Sequence, residues 1–499
     1  MADVYDLLTH QCATRADALA LEDSTGTAWS YADLQTAACD LADIYRAHGV
    51  ERGDLVMIVS ENCAAAVAAL FACWRAGATA IPVNARQSPV ELDRIIAHAQ
   101  PQAIVFTNHV SSDASAHAAR LNGKQRSGTW GTLDLIGNLA RGGRGDDNTS
   151  DVAVILYTTG TTGDPKGVML THDNVRFGGK TSAHLRSMTT DDMIYGVLPT
   201  THVFGLCSVV VAAIHAGAPV RLVPRFDVKA VYAGLQDGIT LFSAVPQMHA
   251  LLMAFARANG LTTLGSKTLR YVSSGAAPLD PTWKREAEAF YGVAVQNGYG
   301  MTESTAGTAA TLNAIGDPDT SVGPALPGVE IAIDQSVEGG GDGMGEVCTR
   351  GPHVMQGYFR ARSATDKVMD AQGWLRTGDL GQIDAAGRLH ILGRSKELII
   401  HGGFNVFPPE VEAALNDHPQ VIQAAVVGRH ADGDEEVLAF VQIDNGSDLG
   451  EAELRAFVRS RLAGYKRPSR YVFAHSLPAA PTGKILKHKL IAAFGDALQ

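Results

Sequence analysis

At residues 157–167 the chain reads YTTGTTGDPKG, four threonines and three glycines around one lysine. Backbone N–H groups exposed by glycines and flanked by hydroxyl donors form a concave nest for phosphate oxygens, to which a lysine adds a mobile charge. The stretch therefore predicts phosphate binding. It is not a P-loop, which needs G-x-x-x-x-G-K-[ST]. At the nearest candidate, Gly179-Lys180-Thr181, position 174 is Asn where the motif needs Gly. A flexible surface loop stays open as the second reading, since Gly/Thr-rich text usually forms one. The strand-like VAVILY before it and the lysine within it favour phosphate.

The elements that must position this stretch follow from apolar runs. DLVMIVS at 54–60 predicts a buried strand, 64–76 a packed helix stopped by Gly77, and ATAIPVN at 78–84 a second strand. The alternation returns as a strand at 239–244 before a helix at 246–258, and a strand at 269–273 before a helix at 280–291. This predicts an α/β fold whose sheets are mixed and largely parallel with flanking helices. Ligands in such sheets sit beyond the carboxyl ends of strands. TTGTTGDPKG follows VAVILY, SSGAAP follows LRYV, and NGYGMTES follows VAVQ. Two glycine-rich stretches, 142–147 and 339–345, read as surface loops. From about residue 398 the text changes to short strands (AAVVG, VLAFVQI) and amphipathic helices at 409–416 and 451–462, which predicts a separate small α+β domain.

Composition narrows the class of partner. The 499 residues carry a formal charge of −11, which disfavours nucleic acid and anionic membrane surfaces, so any polyanion must be met locally. The six cysteines, at 12, 39, 63, 73, 207 and 348, form no C-x-x-C pair and predict neither a zinc site nor a disulfide framework. A reducing cytoplasm fits them. MADVYDLLTH lacks the basic and apolar segments of a signal peptide, and the longest apolar runs are too short to span a bilayer.

YTTGTTGDPKG also resembles the phosphate loop of the adenylate-forming superfamily: acyl-CoA synthetases, adenylation domains of peptide synthetases and firefly-type luciferases. Further motifs similar to that family's follow in its order. They are LPTTHVFGL at 198–206, SSGAAPL at 273–279, NGYGMTES at 297–304, GWLRTGDLG at 373–381, GRSKELIIHGGFNVFPPEVE at 393–412 and PTGKILK at 481–487. The resemblance covers nearly the whole chain and implies a two-step reaction. A carboxylate joins ATP to give an acyl-adenylate and pyrophosphate, and a thiol then displaces AMP. Two anions meet in the first step, so cations and fixed donors aimed at the α-phosphate are the chemistry required.

Carried over residue by residue, the resemblance gives Thr158, Thr159, Gly160, Thr161, Thr162, Gly163 and Lys166 to the β- and γ-phosphates. Glu303 is the expected Mg2+ ligand, with Thr158 beside it, and Thr302 the α-phosphate donor. Asp379 is expected to take the ribose hydroxyls, Arg394 to lie near ribose and phosphate, and Tyr299 to stack on adenine, with Ser274, Gly275 and Ala276 lending backbone contacts. Lys484 is expected to reach from the small, mobile C-terminal domain to neutralise carboxylate and α-phosphate. The boundaries implied are a large domain over 1–394, a hinge at 395–397 centred on Lys396, and a small domain over 398–499. Gly403 is the glycine expected beside the pantetheine of CoA. By residue type alone Glu303 could be a solvated helix-end carboxylate, Asp379 a turn residue, Tyr299 core, Gly403 a turn glycine, and Lys484 one of a basic tail with Lys487 and Lys489.

The acyl pocket is expected among His202, Phe204, Ser274, Gly275, Gly298, Met301 and Ser304, with His202 counted in the catalytic set as a gate between pocket and thiol tunnel and given no acid–base role. None of these is a charged residue. Malonate-type relatives place an arginine ahead of the tyrosine-glycine motif, where this chain has Asn297 and Gly298. The resemblance therefore implies an apolar monocarboxylic acid, fatty or aromatic, with ATP, Mg2+ and CoA. About fifteen residues follow Lys484, leaving no room for a fused carrier domain, so free CoA is the expected acceptor. A homodimer is compatible with the sequence. The alternatives are an acyl-AMP ligase that loads a separate carrier protein and a luciferase-like oxygenase.

Overall fold

The computed structural model of the chain describes residues 3–139, 149–159, 165–275, 279–305, 307–338, 340–402, 404–431, 434–444, 446–480 and 485–498. The apolar run at 55–60 is a fully buried strand, Leu55–Ser60, inside an eight-stranded sheet. Thr79–Asn84 and Ala103–Phe106 flank it in parallel, and Thr79–Asn84 is in turn parallel to Val152–Thr159. Antiparallel strands finish both edges, with Pro165–Thr171 and Gly357–Tyr358 on one side and Gly131–Ile136 and Lys124–Gly128 on the other. A second eight-stranded sheet runs parallel through Val295–Tyr299, Tyr271–Gly275, Leu241–Ala244, Ile194–Gly196, Val220–Leu222 and Leu19–Asp23. Its edges, Ala309–Ala310 and Ala28–Ser30, are antiparallel.

The helix Ala64–Ala76 shows why these two sheets form one body. Every residue from Ala64 to Trp74 is buried, because the helix touches strands of both sheets and the neighbouring helix Tyr31–Ala47. A helix covered on all sides needs no polar face, and this one has only Arg75. Its first turn has no side-chain cap from Cys63. Asp23, from the second sheet, takes the Ala64 N–H at 2.9 Å instead, supplying an acceptor and a negative charge where a helix start wants both.

The structure carries three predicted strands further into the motifs that follow them, the one expected at 269–273 lying two residues later. Tyr271–Gly275 takes in SSG, Val295–Tyr299 takes in NGY, and Val152–Thr159 takes in both leading threonines of the phosphate stretch. The polar residues thus belong to the strand ends themselves, where backbone pairing fixes them. A four-stranded antiparallel sheet follows, in the order Glu330–Asp334, Met344–Arg350, Leu375–Ile383, Leu389–Arg394.

Beyond the turn Ser395–Glu397 a second hydrophobic core begins at Ile399. Its sheet pairs Val421–Ala431 with Asp434–Ile443 antiparallel, and Arg470–Ala474 lies parallel to the latter. Alternate residues serve opposite faces: Ala424, Val426, Val437, Ala439 and Val441 pack with the helices Pro408–Asn416 and Glu451–Arg459, while Ala425, Leu438, Phe440 and Val472 pack with Leu490. The helix expected to reach 462 stops at Arg459, because Leu462 turns into this core.

Candidate active site

The described ends of the phosphate stretch belong to the two paired strands of a β-hairpin. Thr158 pairs with Lys166 and Thr159 with Pro165 across antiparallel strands, where the sequence had predicted a loop leaving a strand of a parallel sheet. Gly160, Thr161, Thr162 and Gly163 lie outside the described residues, and Thr159 is described in its backbone only. The hairpin's second strand runs into the helix His172–Leu185, whose start is fixed by a reciprocal Thr171/Asn174 capping box. Asn174 also donates to the carbonyls of Pro352 and Val354, at 2.8 and 3.0 Å, and so holds the segment that leads to Tyr358.

Glu303 sits in the short turn Thr302–Ser304, which packs against the strand Pro165–Thr171. The residue is 8% exposed, and its Oε1 accepts a hydrogen bond from the Tyr358 hydroxyl at 2.8 Å. Lys166 Nζ stands 5.1 Å from the centre of the same Tyr358 ring, in cation–π contact. Burial first, and the adjoining Glu303 second, push the Tyr358 phenol far above its ordinary value, so it stays a protonated donor. Thr302 is buried in the same turn.

Asp379 is 5% exposed and lies in the strand Leu375–Ile383 directly opposite Arg394. Its Oδ2 accepts from the Tyr299 hydroxyl at 2.6 Å, and Arg394 Nε is 3.0 Å from its Oδ1. Gly378 holds a left-handed φ of 73°, natural for glycine, and donates to Glu346 at 2.9 Å; Thr377 accepts from the Asp379 N–H at 3.1 Å. Asp379 raises the guanidinium of Arg394 above its usual value against the pull of burial, with Glu397, Tyr299 and Glu303 adding to it. Burial and then Asp379 push the Tyr299 hydroxyl up. Asp379, Arg394, Tyr299 and Glu303 thus form one electrostatic neighbourhood, joined through Tyr358 to Lys166.

The predicted pocket residues meet at another point of the second sheet. Gly275 and Gly298 are register partners on adjacent parallel strands. Among the described residues, a Cβ on Gly298 would find the Ala309 carbonyl at 3.8 Å, whereas one on Gly275 would come within 3.2 Å of the Phe204 ring. Phe204 therefore covers one glycine, while the other has looser contacts among the described residues. Ser274 is buried with no hydrogen-bond partner for its hydroxyl among the described residues. Met301 is half-buried, while Ser304 is fully buried and accepts from the Met301 N–H at 2.9 Å, which turns its hydroxyl into the turn and away from a pocket wall. His202 is exposed and its Nδ1 accepts from the Phe204 N–H at 3.3 Å.

Sequence reasoning missed what builds that loop. Buried Asn62 donates to the carbonyls of Gly196 and Leu198, at 3.0 and 2.9 Å, and accepts from the Thr200 N–H at 2.8 Å. Gly205 lets the loop fold on itself, because a Cβ there would lie 2.2 Å from the Pro199 carbonyl oxygen. A buried π-helical segment, Leu206–Val211, follows, a feature that recurs near functional sites. Tyr358 was also missed, since one tyrosine in GYFR looks like any core aromatic.

Lys396 is exposed in the turn Ser395–Glu397. Lys487, which the basic-tail reading had placed in solvent, is 2.9 Å from Glu397 and 2.8 Å from Glu412. Ala276, Gly403 and Lys484 lie outside the described residues. Next to Lys484, Ile485 bridges Ala479, and Leu486 N–H donates to the Pro478 carbonyl at 2.8 Å.

No helix among the described residues is long and apolar enough to cross a membrane. Residues 8–359 match the model of the AMP-binding enzyme family, and residues 410–484 that of the AMP-binding enzyme C-terminal domain. A feruloyl-CoA synthase of Amycolatopsis sp is 33% identical across 94% of this chain and 95% of its own. A long-chain-fatty-acid–CoA ligase of Mycobacterium tuberculosis, FadD13, is 29% identical across 94% and 93%. The crystal structure of ATP-bound MatB from Rhodopseudomonas palustris superposes with a TM-score of 0.84 at 32% identity, over 100% of this chain and 99% of that one. With two matched family models, near-complete relatives and a shared fold, the chain belongs to the AMP-binding enzyme family, within the adenylate-forming superfamily of acyl-CoA synthetases.

Proposed function

We propose that the chain is an ATP-dependent carboxylic acid:CoA ligase for an apolar monocarboxylic acid. The observation that carries the reading is the linked set of polar groups, with Asp379 held between Tyr299 and Arg394 and Glu303 held by Tyr358 beneath Lys166. Buried carboxylates in one electrostatic neighbourhood, with cations beside them, suit a nucleotide whose ribose and phosphates need acceptors and donors respectively. In the first step a carboxylate oxygen of the acid attacks the α-phosphorus, and the bond to pyrophosphate breaks. In the second, a CoA thiolate attacks the acyl carbonyl, and AMP leaves with the bonding electrons.

Asp379 accepts from the ribose hydroxyls, and Arg394 offsets the approach of the acid's charge to the phosphate. Lys166 and Thr158 meet the β- and γ-phosphates from the hairpin, Thr302 donates to the α-phosphate, and Lys484 neutralises the transition state. The donor set fits Mg2+. Glu303 offers a hard oxygen, and among the described residues no three acidic, His or Cys side chains gather into a metal cage, so the ion would be completed by phosphates and water. Mg2+, held by Glu303 beside Thr158, neutralises phosphate charge when bound.

Phe204 over Gly275, with Gly298 on the adjacent strand, would supply an uncharged wall for the acyl group, gated by His202. The known substrates of relatives fall on both sides of the choice between aromatic and fatty acids, ferulate in one name and long-chain fatty acids in another. We further propose the division into 1–394, a hinge at 395–397 and 398–499, with Lys396 absorbing a rotation that withdraws Lys484 and brings Gly403 to the thiol. The test is acid-dependent pyrophosphate release across fatty, benzoic, cinnamic and dicarboxylic acids, with and without CoA. Turnover of an apolar acid with CoA consumed is expected. Pyrophosphate exchange with CoA untouched would turn the reading to carrier loading.

A further inference from the structure

We propose that Tyr358 is a positioning residue of the nucleotide site, one that fixes the metal-binding carboxylate and the phosphate-binding lysine together before the nucleotide arrives. This rests on the ligase reading and adds a residue to it. The carboxylate of a residue only 8% exposed is largely withdrawn from water and needs donors in its place. The hydrogen bond recorded on the Glu303 carboxylate is the one from Tyr358, at 2.8 Å on Oε1; among the described residues Oε2 has none. Tyr358 therefore sets which oxygen is spoken for and which is turned to a cation. Its ring meanwhile seats the Lys166 ammonium at 5.1 Å, on the strand opposite Thr158.

The backbone around Tyr358 is built to hold this position. Tyr358 pairs with Val168 and Gly357 with Met169 at the sheet edge, and the Gln356 and Phe359 N–H groups donate to Met169 and Gly167 at 2.9 and 2.7 Å. At the start of the same strap, Met355 N–H donates to the Glu303 carbonyl at 2.9 Å, and Tyr358 N–H donates to Thr365 Oγ1 at 2.9 Å. One short strap is thus bonded both to the hairpin of the first sheet and to the turn that follows the second. A tyrosine that only filled core volume could satisfy its hydroxyl on any nearby carbonyl, whereas this one donates to the Glu303 carboxylate while its ring holds Lys166.

The test measures ATP binding by calorimetry, in EDTA and across a Mg2+ titration, for the wild-type chain, Tyr358→Phe, Tyr358→Leu, Glu303→Gln and the Y358F/E303Q double variant. Tyr358→Phe keeps the ring and is expected to raise the Mg2+ concentration for half-maximal enhancement of ATP binding by roughly tenfold, the worth of one hydrogen bond to a charged group. Its ATP affinity in EDTA should stay within about twofold of wild type. Tyr358→Leu should also weaken binding in EDTA, because Lys166 loses its seat. In the Glu303→Gln background, Tyr358→Phe should add little, since both changes act on one interaction. An unchanged Mg2+ titration for a normally melting Tyr358→Phe, or additive effects in the double variant, would overturn the proposal. Failure of the wild-type chain to bind ATP at all would overturn the ligase reading with it, and would be seen before any variant is made.

Discussion

The Tyr299 hydroxyl donates to Asp379 Oδ2 at 2.6 Å, a bond that ties the end of a parallel strand in one sheet to an antiparallel strand in another. Arg394 lies against the second oxygen, so the carboxylate is oriented from both sides before a ligand reaches it. A ribose would add its donors to the remaining lone pairs. Asp379→Asn should therefore weaken ATP binding by about tenfold and erase any preference for ATP over 2′-deoxy-ATP. Competition binding with the two nucleotides checks this; an Asn variant that still prefers ATP would remove Asp379 from the ribose site.

Asn62 makes three buried hydrogen bonds to the loop that carries His202 and Phe204. Asn62→Ala strands two carbonyls and one N–H, and should cost about 3 kcal/mol in urea unfolding. Because Phe204 covers Gly275, loosening its loop should also change the relative turnover of long and short acids, while the KM for ATP holds. Equal loss with every acid would mean that Asn62 serves the fold alone.

Asp280 caps the helix Pro281–Tyr291 and faces Asp417 at the end of the helix Pro408–Asn416, so the large and small cores meet at two carboxyl groups. Burial first, then Asp417, raise the Asp280 carboxyl from 3.8 to about 6, against the opposing pull of the Trp283 N–H. A carboxyl that holds its proton more tightly when folded stabilises the fold below its unfolded value and loses that contribution as pH rises through the folded one. The window is therefore from about 3.8 to about 6. Asp280→Asn keeps the cap and removes the charge. It should melt a few degrees above wild type at pH 7.5 and with it below pH 4. Parallel melting curves across that window would show that the pair does not load the interface.

Much of this was legible in the sequence because apolar runs bounded by glycine report strands and helices directly, as at 55–60 and 64–76. The strand-end motifs were legible as positions but not as geometry. Nothing in SSG or NGY says that Gly275 and Gly298 are register partners, since pairing between strands is set by the whole sheet. The hairpin form of the phosphate stretch was hidden for the same reason. Asn62 and Tyr358 were invisible because their partners lie 134 to 138 and 55 residues away, and one polar or aromatic residue carries no local signature of such a bond.

Lys487 shows the same limit, with a consequence for the hinge. Its charge pattern suggested a solvated tail, yet its side chain is 22% exposed and lies between Glu397 and Glu412. Burial works against its charge, but the two carboxylates outweigh that and hold the ammonium above its ordinary value. Glu397 directly follows Lys396 in the turn Ser395–Glu397, so the lysine anchors the end of PTGKILK to the proposed hinge. Lys487→Met would leave two carboxylates without their cation. Fully buried pairs cost 3–5 kcal/mol when broken this way, and with Glu397 38% exposed about 2 kcal/mol is expected here. Replacing Glu412 by Gln in the same chain removes one of those unpaired charges while keeping an acceptor for the Val426 N–H, bonded to Glu412 at 2.8 Å, and should restore part of that stability. Urea unfolding followed by hydrogen exchange at residues 395–397 separates the cases. Faster exchange there in Lys487→Met, slowed again in the double variant, is the expected result, and unchanged exchange would mean that the ion pairs do not brace the hinge.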